Sequence, residues 1–245
     1  MTNKYMYFIA NWKMFGDLNS LKSIDKIISF FRGFKKKKYL KIVYCPPNTL
    51  ISSMTQKLKS VKITVGAQNC HENDLHGAFT GFVNPKMLKG VGAKYVIIGH
   101  SENRQQGESD KLINLKIKTA LKSGLKVIFC VGETLQEKKK KITKKILAKQ
   151  IKIGLDLIKD KNKILIAYEP VWAIGTGLIP KQSELFETIQ FIKEKVKRSK
   201  VLYGGSVNPK NINELKRINN INGFLIGGAS QDPKNFIDII KKTYS

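Results

Sequence analysis

Three side chains in this 245-residue sequence stand where acid–base chemistry could be done. Glu169 follows directly on the apolar run Ile164–Tyr168, so its carboxylate is expected to be partly desolvated and poised as a base. His100, one of only three histidines, closes on the run Tyr95–Gly99 and could donate to a substrate oxygen. The same position also suits a packed or capping histidine, with Ser101 and Glu102 able to cap a following helix. Lys13, in Asn11-Trp12-Lys13, follows the first apolar run and could hold an anion as a point charge; taken alone it is equally one surface lysine among many.

Glu169 also opens a distinctive segment, Pro170-Val171-Trp172-Ala173-Ile174-Gly175-Thr176-Gly177. A rigid residue at one end, glycines at the other and an apolar body between them are what a water-excluding lid requires. Two further apolar runs end in Gly-Gly: Tyr203-Gly204-Gly205-Ser206 and Ile226-Gly227-Gly228-Ala229-Ser230. Glycines let backbone N–H groups approach an anion closely. One such pair is weak evidence, whereas two at the ends of consecutive last runs indicate a phosphate cradle.

The elements that must position these groups alternate along the chain. Eight short apolar runs, Tyr5–Ala10, Ile42–Cys45, Ile63–Ala67, Tyr95–Gly99, Val127–Val131, Ile164–Tyr168, Val201–Tyr203 and Gly223–Ile226, suit parallel strands buried on both faces. Between them lie Lys-rich amphipathic stretches, clearest at Leu21–Phe34, at Leu112–Leu121 (with Leu112, Ile113, Leu115 and Ile117) and at Leu185–Val196. Strand then helix, eight times over, predicts an α/β protein: a closed (β/α)8 barrel in a single domain over residues 1–245. An open doubly wound sheet shares the alternation, but no glycine-rich dinucleotide fingerprint follows the first strand. In a barrel the functional residues belong after the strands, which is where all of these motifs fall.

Composition narrows the setting. No export signal and no membrane-length apolar run is present, and Cys45, Cys70 and Cys130 have neither disulfide nor metal spacing, so a reducing, cytoplasmic protein is expected. The net charge is +27, yet of 45 basic residues only Arg32, Arg104, Arg198 and Arg217 are arginine. Lysine runs such as Lys35–Lys38 and Lys138–Lys141 fall in helical or connecting segments, away from stacked aromatics. We therefore read the charge as a compositional bias that leaves nucleic acid an unlikely partner, though a positive field should speed the arrival of an anionic substrate.

The blocks ANWKM, IIGHSEN, AYEPVWAIGTG, YGGSV and GFLIGGAS, in this order and spacing, resemble the signature of the triosephosphate isomerases. QNC with GAFTG (Gln68–Cys70, Gly77–Gly81) and FCVGET (Phe129–Thr134) match further family blocks, so the resemblance covers nearly the whole chain. It implies a TIM barrel that interconverts dihydroxyacetone phosphate and D-glyceraldehyde 3-phosphate through an enediol(ate), in glycolysis and gluconeogenesis, with neither metal nor organic cofactor. By resemblance, Glu169 moves the carbon-bound proton, His100 polarises the carbonyl, Lys13 supplies positive charge, Asn11 orients the substrate and Glu102 supports Lys13. Gly175, Ser206, Gly227 and Gly228 hold the phosphate, and Pro170–Gly177 closes over it. A homodimer is implied, with the loop Gln68–Thr80 reaching the neighbouring subunit and Thr80 contributing there.

The sequence departs from the family pattern at four places. Phe82 replaces a frequent Glu and Asn103 a frequent Arg, which suggests that an ion pair across the dimer was lost and repacked around an aromatic ring. Leu178-Ile179-Pro180 replaces the usual lid end, with Pro180 stiffening the hinge. Asn222 replaces a frequent Asp. Another phosphate-binding barrel enzyme would share the glycine loops but not the complete lid sequence.

Overall fold

A computed structural model of the chain describes residues 4–197 and 199–245; residues 1–3 and Arg198, part of the expected 1–245 domain, lie outside them. Eight parallel strands close into a barrel in sequence order. They are β1 (Met6–Asn11), β2 (Leu40–Cys45), β3 (Thr64–Ala67), β4 (Tyr95–Ile98), β5 (Lys126–Val131), β6 (Ile164–Tyr168), β7 (Lys200–Tyr203) and β8 (Gly223–Ile226). Around them run α1 (Ile24–Gly33), α2 (Ile51–Lys57), α3 (Pro85–Gly90), α4 (Ser101–Gln105), α5 (Asp110–Lys122), α6 (Leu135–Lys139), α7 (Thr143–Gly154), α8 (Gln182–Lys195), α9 (Ile212–Leu215) and α10 (Pro233–Tyr244).

Strand side chains alternate between two cores, because successive residues face opposite sides of a sheet. Ile9, Val43, Ile97, Ile128, Ala167, Leu202 and Leu225 fill the lumen. Their neighbours Phe8, Ile42, Val96, Phe129, Ile166 and Phe224 meet the helices. Both faces are buried, which is why the runs read as continuously apolar.

The strand boundaries differ from the expected runs at several ends, and β1 and β3 begin one residue later than expected, at Met6 and Thr64. β2, β5 and β7 begin earlier than their apolar runs and take in Lys41, Lys126 and Lys200. A hydrophobic criterion stops at a lysine, whether it opens the strand, as Lys126 and Lys200 do, or follows its first residue, as Lys41 follows Leu40. Gly99, expected to end β4, lies outside it, while Asn11 is the last residue of β1 rather than a residue after it. The stretch expected to be helical from Leu21 starts as a 3-10 turn, Asn19–Ser23, before α1.

The lysine runs also differ from expectation. Lys138 Nζ sits 3.6 Å from the Trp172 ring centroid and Lys38 Nζ 5.0 Å from that of Tyr39, so both runs do meet aromatic rings.

The helices dock by one stripe each. α1 buries Ile24, Ile27, Ile28 and Phe31. On α5 the buried stripe is Ile113, Lys116, Ile117 and Ala120, whereas Leu115, counted in the expected stripe, is 50% exposed. Ile113→Ala should therefore destabilise the protein by about 2–5 kcal/mol, and Leu115→Ala by about 0.5 kcal/mol or less. Urea unfolding of both variants checks this; equal losses would mean that the stripe is wrongly placed.

Candidate active site

The C-terminal ends of the strands enclose a cavity of about 180 Å³. Its lining includes Asn11, Lys13, His100, Glu169, Ile174, Gly175, Ser206, Gly227 and Gly228, contributed by the ends of β1, β4, β6, β7 and β8. The structure thus gathers, from across the chain, residues that the sequence singled out separately.

Glu169 follows β6 and is only 2% exposed. Its Oε2 accepts a hydrogen bond from Ser101 N–H at 3.2 Å, and its Oε1 lies 3.2 Å from His100 Nε2. Two glycines make room for it. A Cβ on Gly132 would stand 1.8 Å from the Glu169 carbonyl oxygen, and one on Gly204 would stand 2.9 Å from Glu169 Cγ. Burial raises the Glu169 carboxyl above the usual range, against the opposing pull of His100, Ser101 N–H and Lys13.

His100, not Ser101 or Glu102, caps α4: its Nδ1 accepts from Glu102 N–H at 3.3 Å. A ring nitrogen that accepts carries no proton, so we assign the proton to Nε2, the nitrogen facing Glu169 and the cavity.

Lys13 adopts φ 56°, the left-handed region that a non-glycine residue occupies only under constraint. Gln68 Nε2 supplies the constraint by donating to the Lys13 and Cys45 carbonyls at 2.8 Å each. Asn11 adds to it, its Oδ1 accepting from Lys13 N–H at 3.1 Å. The Lys13 ammonium meets Glu102 Oε1 at 2.5 Å.

The segment 170–177 is tied down at its start. Val171 N–H bonds the Glu133 carbonyl at 3.0 Å, and Trp172 Nε1 bonds the buried Glu133 carboxylate at 2.8 Å. Burial raises that carboxyl, with Trp172 the largest opposing influence. Ser206 N–H bonds the Ala173 carbonyl at 3.1 Å, while Gly175, Thr176 and Gly177 are exposed. Ala173 and Pro180 are buried, so the exposed stretch lies between two packed residues.

The sequence reading missed several contributors. Gly204, Gly205, Val207, Asn208, Leu225 and Ala229 also line the cavity, and Gln68 and Gly132 shape it from behind. Gly204 and Gly205 were within sight, as half of the Gly-Gly signal. Gln68 and Gly132 fell within the blocks QNC and FCVGET, but their structural roles were not read from them, because their partners are distant in the chain. Thr80 is exposed and Glu102 touches the site only through Lys13 and His100; neither lines the cavity.

Comparison with known proteins is consistent over the full length. The family model described as triosephosphate isomerase matches residues 6–243. The triosephosphate isomerase of Thermodesulfovibrio yellowstonii is 41% identical over 96% of this chain and 98% of its own. That of Aquifex aeolicus is 40% identical over 94% of this chain and 96% of its own. The crystal structure of the Bartonella henselae triosephosphate isomerase superposes with a TM-score of 0.89 at 34% identity, covering 98% of this chain and 100% of that one.

The burial of Glu169 has a measurable consequence for stability. A carboxyl whose pKa is raised on folding binds its proton more tightly in the folded state than in the unfolded one. Ionised Glu169 therefore withdraws stability as pH climbs from the ordinary carboxylate range through the raised value. Glu169→Gln keeps the shape and the acceptor for Ser101 N–H without the charge. It should melt at a higher temperature than the wild type near neutral pH, with the gain shrinking at acid pH. A gain that stays constant or reverses would mean that His100, Ser101 and Lys13 outweigh burial.

Proposed function

The chain belongs to the triosephosphate isomerase family, and from that premise we propose that Glu169 is its base, His100 its proton shuttle and Lys13 its fixed positive charge. The reaction is the interconversion of dihydroxyacetone phosphate and D-glyceraldehyde 3-phosphate, a step of glycolysis. The observation that carries the residue assignment is the 3.2 Å approach of Glu169 Oε1 to His100 Nε2 inside the cavity that Lys13 and the glycine loops also line.

In the ketose-to-aldose direction Glu169 removes a proton from C1 of the ketose while His100 Nε2–H donates to the C2 oxygen. The electron pair released at C1 forms the C1–C2 double bond of an enediol. His100 recovers a proton from the C1 oxygen, and protonated Glu169 delivers its proton to C2, so the side chains end as they began. A carboxylate in water is a poor base for a carbon acid; burial makes Glu169 a stronger one. Lys13 offsets the negative charge that develops on the oxygens, and Asn11 orients them. Fixed charges and the adjacent carbonyl acidify the carbon, so the mechanism calls on no metal or organic cofactor.

Backbone N–H groups of Gly175, Ser206, Gly227 and Gly228 hold the phosphate. Lid closure over the bound substrate, for which this enzyme family is itself the standard illustration, keeps water from the enediolate. Pro170 follows Glu169 directly, so movement of the lid drags the base. Closure takes the carboxylate off Ser101 N–H and brings it to the substrate carbon.

We extend the proposal to a homodimer working in the cytoplasm. Met14 is 100% exposed, and Leu18, Leu75, Phe79 and Phe82 are also exposed on loops around the mouth. Apolar surface at that density calls for a covering partner. A second copy offers one if its Gln68–Thr80 loop, with Thr80 at its tip, packs beside Lys13. Phe82, which is exposed, stacks edge-on against His71 of its own chain at 5.1 Å and leaves apolar surface for a second copy to cover. The three cysteines are buried and unpaired, which suits a reducing compartment, and no helix among the described residues is long and apolar enough to cross a membrane.

Two measurements test these assignments. In a coupled isomerase assay, Glu169→Asp and His100→Gln should each lower kcat by about a hundredfold or more; unchanged turnover in both would refute the site. Phe79→Asp should shift the protein to monomer in sedimentation and lower its activity. A fully active monomer would refute the shared site.

A further inference from the structure

The surplus positive charge has a location that the isomerase reaction does not use. Strand registers pair Tyr7 with Lys41, Tyr95 with Lys126 and Leu165 with Lys200. Two residues further along the same strands, Ile9, Val43, Ile97, Ile128, Ala167 and Leu202 fill the lumen. By strand alternation Lys41, Lys126 and Lys200 therefore share the lumen face. They form, with Tyr7 and Tyr95, the floor of the barrel at the end opposite Glu169.

These ammonium groups are close enough to disturb one another. Burial and then Lys126 lower the pKa of Lys41 across the mouth. Burial, then Lys193 and Lys200, lower that of Lys4 to about 8. Lys126 Nζ lies 5.7 Å from the Tyr95 ring centroid, and Lys41 Nζ donates to Thr64 Oγ1 at 2.5 Å. Among the described residues, no carboxylate stands within ion-pair distance of Lys41, Lys126 or Lys200. A groove of about 670 Å³ leads outward from Lys41 between Tyr5, Arg32, Lys37, Lys38 and Lys62.

We propose that this N-terminal mouth is a binding site for a linear oligophosphate, either inorganic polyphosphate or the phosphate tail of a nucleotide, seated on Lys41, Lys126 and Lys200 and led out past Lys62, Lys38, Lys37 and Arg32. The three lysines share the lumen face at one end of the barrel, so a thin, unbranched chain of closely spaced charges can lie across them one charge at a time. Lysine presents a compact charge with three donors, suited to successive phosphates without fixed geometry. The Tyr5 and Tyr7 hydroxyls, whose pKa values burial raises, stay protonated and add neutral donors. A bound polyanion would also relieve repulsion that the folded chain otherwise stores at this face.

The test is calorimetric titration of the whole protein with short-chain inorganic polyphosphate and, separately, with ATP, at fixed ionic strength. Three proteins are compared: wild type, Lys41→Gln/Lys126→Gln/Lys200→Gln, and a control with three exposed α7 lysines changed, Lys145→Gln/Lys149→Gln/Lys152→Gln. Affinity should fall about tenfold or more in the mouth variant and less than about twofold in the control. Both variants should keep wild-type isomerase turnover, which also reports that they fold. Binding by either probe with this pattern supports the site, and the stronger probe identifies the source of the phosphates. Equal losses in both variants would reduce the effect to diffuse attraction and overturn the proposal. So would competitive inhibition of the isomerase by polyphosphate, which would put the anion at the Gly-Gly loops. A single-stranded oligonucleotide that binds as tightly as polyphosphate, and is lost in the same variant, would make the mouth a nucleic-acid site and overturn it as well.

Discussion

The structure is organised around the burial of one carboxylate. Glu169 is 2% exposed at the rim of a barrel, and an isolated charge there is costly unless it is partnered. The chain resolves this with incomplete partnering: one backbone donor from Ser101, one imidazole nitrogen from His100, the weak thiol donor of Cys130, and Lys13 further off. Full partnering would stabilise the anion and weaken it as a base. The residual penalty raises the pKa of Glu169 and leaves it a stronger base than a carboxylate in water. Gly132 and Gly204 follow from the same constraint, because strands on either side must close on Glu169 with no side chain between.

The positions of the other groups are set by hydrogen bonds that also fix their chemical state. The Nδ1 of His100 is occupied by the first turn of α4, which leaves Nε2 to carry the proton toward the cavity. Lys13 is held in a left-handed conformation by Gln68 and Asn11, and its ammonium by Glu102. The segment 170–177 is anchored at Trp172 by Glu133, with Tyr168 OH on the same carboxylate at 3.1 Å. Tyr168 precedes Glu169, so the hydrogen bonds to Glu133 and the Glu169 carboxylate are tied to one stretch of backbone.

Much of this was legible in the sequence because a barrel writes its function at the ends of its strands. Glu169, His100 and both Gly-Gly pairs each interrupt an apolar run, and that interruption is a local signal. Lys13 was ambiguous in a lysine-rich chain and acquires meaning only from Gln68, 55 positions away. Gly132 lay within the block FCVGET, but its structural reason, the Glu169 carbonyl just after the next strand, leaves no local signal. Leu115 was misjudged because two apolar rows coexist on α5 and periodicity alone does not say which one meets the barrel. The buried row instead includes Lys116, which pairs with Glu108, a partner that no hydrophobic pattern reveals. The early starts of β2, β5 and β7 were missed for the converse reason: Lys41 follows the first residue of its strand, Lys126 and Lys200 open theirs, and a charged residue was excluded from the strand.

Those lysines bear on catalysis by where they are not. A chain with a net charge of +27 risks acidifying any carboxylate it contains, because each nearby cation favours the ionised form. Only Lys13 among the lysines exerts a resolved pull on Glu169, and burial still prevails. The floor lysines sit at the far end of the strands, with the barrel's apolar interior between them and the base. That end is also where the helices leading into the strands finish, and cations are favoured by the negative end of a helix dipole. One axis thus separates two demands on the same charge. The field of the whole molecule remains positive and draws in a dianionic substrate, while the local field at Glu169 stays weak enough to leave it basic.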